Sequence, residues 1–384
     1  MAAQEVGMLE ELIMRIFGML PTKALMRCKA VCHTWEKLIS DQFFTQTAYS
    51  RVPYTASFII TSEPSSINKA QGFVPMHAKT NNLPSTITRL LSRKFKVLDS
   101  SNGLLCLRRD EVLLVGNPIT SLWAEIPKLN QPPEPYHFAG ATVLSFNPTS
   151  SLDFYVLVPV LLHSENDNKI YDLQFHVFLS ETWSWELSPA IRLYWNDDRP
   201  YDARLNRFVA GPRGGSICWM QGDDSLMGYE INNDAGGAYW TIPLPKLPQK
   251  GLATKWILNG YDGSIYHLVV IDVKLTIWRL EGKENWVLEG EWKSEGFKRF
   301  VLVPFAIDRE RGMLFIKGRF SNELAAFHLA NSRWETICKD ASIVSVFRIV
   351  PYAASDVSFA GGLDGDDAID RVLRDASKAP VKLN

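Results

Sequence analysis

Five cysteines in 384 residues are too few and too scattered to frame a fold. Cys28, Cys32, Cys106, Cys218 and Cys338 are odd in number and mostly far apart, which reads as reduced thiols in cores rather than a disulfide scaffold. Cys28 and Cys32 stand one helical turn apart, but no second Cys or His pair at zinc spacing follows, so they read as small buried hydrophobes. Net charge is lacking too. The 41 Lys plus Arg against 42 Asp plus Glu leave −1, which gives no overall electrostatic footprint for nucleic acid or an anionic membrane. No stretch reaches eighteen uninterrupted apolar residues, and the opening MAAQEVG has no basic segment leading into an apolar run. The expected setting is therefore intracellular and soluble, in nucleus or cytoplasm, with neither membrane nor nucleic acid as a direct partner.

Catalytic signatures are missing as well. There is no G-x-S-x-G elbow, no G-x-x-x-x-G-K-[ST] phosphate cradle, no H-E-x-x-H and no G-x-G-x-x-G after a strand. Asp364-Gly365-Asp366-Asp367 has the start of a calcium loop but not its remaining ligands or its closing Glu, and the seven histidines show no ligand spacing. The expectation is a chain with no catalytic residue, no metal and no cofactor.

What is present begins with an amphipathic helical pattern. Leu9, Leu12, Ile13, Ile16, Phe17 and Leu20 recur at helical spacing. Gly18 weakens the last turn, and Pro21 has no backbone donor and suits the first position of a following helix, so Leu20-Pro21 marks a corner. Leu25, Cys28, Val31, Cys32, Trp35, Leu38 and Ile39 continue the spacing to Ser40-Asp41, with a break expected near Cys32-His33-Thr34, where Thr34 can cap. Three short helices result. Ordering such a unit of roughly 45 residues costs about 1.5 kcal/mol per residue, while each fully buried large side chain returns about 1.5 to 3 kcal/mol. It must therefore pack on the rest of the chain or on a partner.

The order Leu20-Pro21, Leu25-Met26-Arg27, Val31-Cys32-His33-Thr34-Trp35 and Leu38-Ile39-Ser40-Asp41 resembles an F-box, with matching spacing. One departure is that the Leu-Pro that usually opens the motif is Met8-Leu9 here. The resemblance implies docking on a Skp-type adaptor and, through it, a cullin and a RING subunit. The residues it marks for that contact are Leu9, Leu12, Ile13, Ile16, Leu20, Pro21, Leu25, Arg27, Val31, Cys32, Trp35, Leu38 and Ile39.

From Arg51 onward the period changes to short apolar or alternating runs separated by Gly, Pro, Asn and Asp, which read as strands and turns. A loose repeat organises them, each copy running from a turn residue through strands to a tryptophan. The copies start at Gly103, Leu152, Gly215, Gly263 and Gly312, at steps of 49, 63, 48 and 49, and lead to Trp123, Trp185, Trp240, Trp286 and Trp334. Such repeats predict an all-β propeller of about six blades, its ring closed by a composite blade pairing 56–60 with 343–350; a plain β-sandwich is the competing architecture. Ser101-Asn102-Gly103-Leu104-Leu105-Cys106, Gly116-Asn117-Pro118 with Trp123, and Tyr239-Trp240-Thr241-Ile242-Pro243 resemble the F-box-associated or kelch-like region of plant F-box proteins. Kelch-type double glycine occurs only at Gly214-Gly215.

These readings divide the chain into a flexible 1–7, an F-box over 8–48, a linker with the first closing strands over 49–95, the propeller over 96–352 and a flexible acidic tail over 353–384. The long step after Leu152 accommodates an insertion in which Trp195, Arg199, Tyr201 and Arg204 have the composition of an interaction surface for a target protein; an ordinary blade connection is the plainer alternative. The resemblance implies a substrate-recognition subunit of an SCF-type ubiquitin ligase, non-catalytic in itself. A non-degradative co-regulator or assembly factor, and a small-molecule or carbohydrate-binding propeller, stand as alternatives.

Overall fold

The computed structural model describes residues 10, 12–17, 20 and 27–40 in the helical region. In the β region it describes 57–62, 71–75, 95–109, 112–118, 120–129, 136–138, 142–147, 151–163, 170–194, 208–210, 215–222, 224–231, 237–246, 253–260, 263–282, 284–299, 302–309, 311–318, 323–339 and 346–352. Helices at the amino end give way to antiparallel sheets.

Blade 1 runs Lys96–Ser101, Leu104–Arg109, Val112–Asn117 and Leu122–Ile126. Blade 3 runs Val209–Ala210, Ser216–Gln221, Ser225–Glu230 and Ala238–Pro243; blade 4 runs Ala253–Asn259, Ile265–Ile271, Lys274–Glu281 and Asn285–Lys293; blade 5 runs Leu302–Asp308, Met313–Gly318, Glu323–His328 and Arg333–Lys339. Blade 2 has six strands because its central hairpin, Phe154–His163 with Ile170–Leu179, is ten residues on each side. Two short strands lie along each flank of that hairpin: Tyr136–Phe138 and Val143–Phe146 on one, Ser184–Leu187 and Ile191–Tyr194 on the other. The step of 63 residues is thus a lengthened blade, not only a lengthened loop.

The expected count of about six blades is corrected to five complete ones. The sixth sheet is a closure of three strands among the described residues, in the order Gln71–Pro75, Ser57–Ser62, Val346–Tyr352. Its centre joins the two ends of the β region, with Ile59 opposite Val350 and opposite Phe73. The expected closure of 56–60 against 343–350 is present as Ser57–Ser62 paired with Val346–Tyr352.

Turn chemistry explains the repeat. Gly103, Gly215, Gly263 and Gly312 stand before the second strand of their blades at φ 89°, 80°, 73° and 61°, a left-handed conformation that side chains with a Cβ resist. Between blades, apolar faces merge into shared cores. Leu157, Phe175 and Val177 of blade 2 pack with Ile217, Trp219 and Tyr229 of blade 3, and Cys218, Leu226 and Ile242 of blade 3 pack with Ile257 and Ile265 of blade 4.

Each of four seams also carries one aromatic hydrogen bond of the same kind. The second residue of a blade's outermost strand donates to the residue where the previous blade's outermost strand exits. Trp185 Nε1 donates to the Pro127 carbonyl at 2.7 Å, the Tyr239 hydroxyl to the Pro189 carbonyl at 2.8 Å, Trp286 Nε1 to the Pro243 carbonyl at 3.0 Å, and Trp334 Nε1 to Ser294 Oγ at 2.9 Å. A proline carbonyl suits the role because the residue has no N–H to lose where the strand ends. In blade 3 the tether is Tyr239 and not the expected Trp240, whose ring instead covers Gly228 across the strand pair. Trp185→Phe and Trp286→Phe, which keep a ring and remove the donor, are each expected to lower stability by about 1 kcal/mol in chemical denaturation. An unchanged midpoint would remove the tether from the account of the seams.

Burial of one histidine predicts acid sensitivity. His267 is 1% exposed, lies flat against Trp278 with ring centroids 5.6 Å apart, and sits with Nδ1 3.3 Å from the Trp256 carbonyl. Burial pushes its pKa down to about 4. The unfolded chain therefore takes up this proton first, so stability is intact above pH 6.5 and declines as pH falls towards 4, by about 3 kcal/mol in all. His267→Gln is expected to flatten that part of the denaturation profile between pH 6.5 and 4. An equally steep profile in the variant would assign the loss to other groups.

Candidate functional site

The helical region builds a small core of its own. Phe17 and Ile39 are buried, at 2% and 4% exposure, and pack with Ile13, Met14, Leu20, Cys28 and Trp35. The rings of Phe17 and Trp35 meet edge to face at 5.0 Å and 77°, an arrangement that places the positive edge of one ring on the negative face of the other. Leu20 N–H donates to the Phe17 carbonyl and Val31 N–H to the Cys28 carbonyl, closing the turns at 3.0 and 3.1 Å. The helix His33–Ser40 starts just after the expected break; Glu36 N–H donates to the Cys32 carbonyl, so Thr34 lies inside the helix and does not cap it.

The predicted docking residues fall into two sets. Ile13, Leu20, Trp35 and Ile39 serve the helical core, and Leu38 is half-buried. Leu12, Ile16 and Val31 are turned outward at 52%, 53% and 63% exposure, and Arg27 and Cys32 are exposed beside them in sequence. Leu9, Pro21 and Leu25 lie outside the described residues. Leu12 and Ile16, four apart on one helix, share a face. These three account for half of the six large apolar side chains that stand most exposed among the described residues, in a region of a few short helices. Apolar side chains exposed in this way are candidates for cover by apolar surface elsewhere.

Trp195, Arg199, Tyr201 and Arg204 lie outside the described residues. The segment that carries them follows directly on Ile191–Tyr194, the flanking strand at the far end of the blade 2 hairpin, where Tyr194 pairs with Ile170 and His163 with Tyr171. A recess of about 530 Å³ on blade 5 is lined by His328, Asn331, Arg333, Trp334 and Glu335. There His328 Nε2 and Glu335 Oε2 are 2.8 Å apart, and the Trp334 indole is committed to Ser294. Among the described residues no three His, Cys, Asp or Glu side chains gather as metal ligands, and no helix is long and apolar enough to cross a membrane.

Family comparison agrees with both halves of this architecture. Residues 10–49 match the F-box-like family, and residues 65–345, well over half of the chain, match the family described as "F-box protein At3g26010-like, beta-propeller". The chain belongs to that propeller family. Among curated proteins it is similar to F-box protein At3g26010 of Arabidopsis thaliana, 22% identical over 293 residues, a match covering 71% of this chain and 65% of the relative. It is also similar to F-box protein At5g49610 of Arabidopsis thaliana, 27% identical over 129 residues, covering 32% of this chain and 34% of the relative. The chain thus spans less than two thirds of the length of either relative. Among solved structures, a chain of a nidogen/laminin complex is similar at TM-score 0.38 and 11% identity, covering 79% of this chain and 98% of that one, a likeness too loose to bear on function. The matching family models name no enzymatic activity.

Proposed function

We propose that the chain is a substrate-recognition subunit of an SCF-type cullin-RING ubiquitin ligase, acting in nucleus or cytoplasm. Its F-box docks on a Skp-type adaptor through Leu12, Ile16 and Val31, and its propeller holds the target protein. The observation that carries this reading is the division of the helical residues into a core of their own and an outward apolar set, inside the region that matches an F-box. Each of those side chains gains about 1 kcal/mol or more on being covered, since a full burial returns about 1.5 to 3 kcal/mol and roughly half of each is already shielded. Catalysis on the assembled ligase then rests on proximity: a target held beside a charged ubiquitin carrier meets it at high effective concentration, with no covalent step on this chain. Mixing the purified full chain with a purified Skp-type adaptor tests the reading. Co-elution as a stoichiometric complex is expected, and separate elution at micromolar concentration would overturn it.

A further inference from the structure

The five blades and the closing sheet meet at the centre of the ring through one strand each. These inner strands are Lys96–Ser101, Val143–Phe146, Val209–Ala210, Ala253–Asn259, Leu302–Asp308 and Val346–Tyr352, and each lies beside the next, the last returning to the first. Their charges are sorted by height. Asp308 ends its strand, and Asp99 is two rungs from the end of its own. The cations share a single rung further back. Counted from the last pairs, Ser101 with Leu104, Asn259 with Ile265 and Tyr352 with Ser57, the fourth rung before them holds Lys96 opposite Arg108, Lys255 opposite Val269 and Arg348 opposite Thr61. The same rung of blade 5 sets Val303 opposite Lys317. Blade 4, blade 5, the closing sheet and blade 1 follow one another round the ring, so these cations form one arc at one height. Solvent reaches it: Val303 is 39% exposed, Arg108 is exposed, and Lys96 and Lys255 are partly so.

We propose that this arc of the ring mouth receives an acidic segment of the target polypeptide, with Asp and Glu carboxylates lying against Lys96, Arg108, Lys255 and Lys317. That a target is held at all rests on the function proposed above; its charge is what the arc adds. Two features of the arc run against stability and fit an anion. Lys96 and Arg108 stand directly opposite each other on neighbouring strands, where like charges destabilise a ladder. Lys317 is only 9% exposed, and burial pushes its pKa below the ordinary lysine value, a cost that an approaching anion offsets. The arc spans four neighbouring sheets and gives way to carboxylates within half a strand's length, which suits a short run of acidic side chains. A nucleic acid strand needs a longer basic track, and the chain's net charge of −1 supplies no field to extend this one.

Fluorescein-labelled octaglutamate titrated into the full chain tests the arc by anisotropy. Saturable binding that weakens with added salt is expected, and Lys96→Gln with Lys255→Gln should weaken it about tenfold, since two charge contacts are lost. Lys246→Gln with Lys293→Gln should bind as wild type, because these exposed lysines stand at the same end of the ring but at the exits of outermost strands. A second readout needs no variant. On the wild-type chain, bound octaglutamate should slow acetylation of Lys96 and Lys255, followed by mass spectrometry, and leave Lys246 and Lys293 reacting as before. No saturation at millimolar peptide, equal affinity in the two double variants, uniform protection of all four lysines, or tighter binding of oligouridylate or inorganic phosphate would each overturn the proposal. Capture of a Skp-type adaptor should be the same in both double variants. Failure of adaptor docking would therefore remove the ligase reading and leave octaglutamate binding in place, whereas failure of octaglutamate binding would remove the arc and leave docking intact.

Discussion

Replacing Leu12 and Ile16 together by aspartate is expected to abolish capture of a Skp-type adaptor while the β-rich region melts as in wild type. Both side chains are more than half exposed, at 52% and 53%, so the free chain loses little when they are changed. In a complex, the same positions lose the burial of two large aliphatic groups and place two carboxylates against an apolar surface. Each unpaired charge there carries a desolvation penalty of several kcal/mol, or shifts its pKa and neutralises at a similar expense. Together these effects amount to at least 4 kcal/mol, or about a thousandfold in dissociation constant. Titration calorimetry against purified adaptor gives the affinity, and a thermal melt followed by tryptophan fluorescence reports the propeller. Binding within tenfold of wild type would move the contact off this helix face. Leu20→Asp makes a poorer test, although Leu20 belongs to the same stripe in the sequence. It packs against Phe17 and Ile39, so a charge there unfolds the helices and confuses docking with stability.

The stripe illustrates how far spacing alone reaches. A helix advances about 100° per residue, so Leu12 and Ile16 form one row and Ile13, Phe17 and Leu20 the next, and both rows satisfy the same apolar periodicity. Nothing in the pattern separates the row that builds the local core from the row that awaits a partner. That separation arises only when Trp35, Cys28 and Ile39 fold back and choose a side. In the β region, the positions set by backbone geometry are the legible ones. Gly103, Gly215, Gly263 and Gly312 stand where φ is positive, and their recurrence exposes the repeat. The exit aromatics are legible as a class but not by identity, because any aromatic donor of suitable reach satisfies a seam. Tyr239 does so in blade 3, and the neighbouring Trp240 attracts the eye while filling a different space. The lengthened blade 2 is hidden for another reason. Its ten-residue hairpin pairs with two short strands on each flank, and the repeat step records only the added residues, not whether they extend strands or loops. The closing pair joins segments nearly three hundred residues apart, Ser57–Ser62 and Val346–Tyr352, and is nonetheless legible as 56–60 with 343–350, because each is an apolar run at one end of the repeat array.

Alanine at Gly116 is expected to be among the most disruptive single-methyl changes in this chain. Gly116 lies opposite Trp123 in the strand pair, and an added Cβ would stand 2.2 Å from ring carbon Cε3 and 2.6 Å from the Leu122 carbonyl oxygen. Gly228 repeats the arrangement against Trp240, at 2.0 Å from Cζ2. Ordinary contact needs about 3.5 Å or more, so the indole must move by over an ångström or the strand pair must part. At Gly116 neither is easy. Trp123 is 1% exposed, and the second clash is with backbone. Displacing a buried tryptophan forfeits much of what Trp→Ala would, about 3 to 5 kcal/mol, which for a domain of this size lowers the melting temperature by about 10 °C. Gly228→Ala should cost somewhat less, about 2 to 3 kcal/mol, because Trp240 is only partly buried and meets no second obstacle from the backbone. A double-mutant cycle separates this steric account from any effect of alanine on strand formation: Trp240→Ala removes the ring that Gly228→Ala strikes, so the two together should cost about 2 kcal/mol less than their sum. Strict additivity would show that the glycine is required for some reason other than the ring above it.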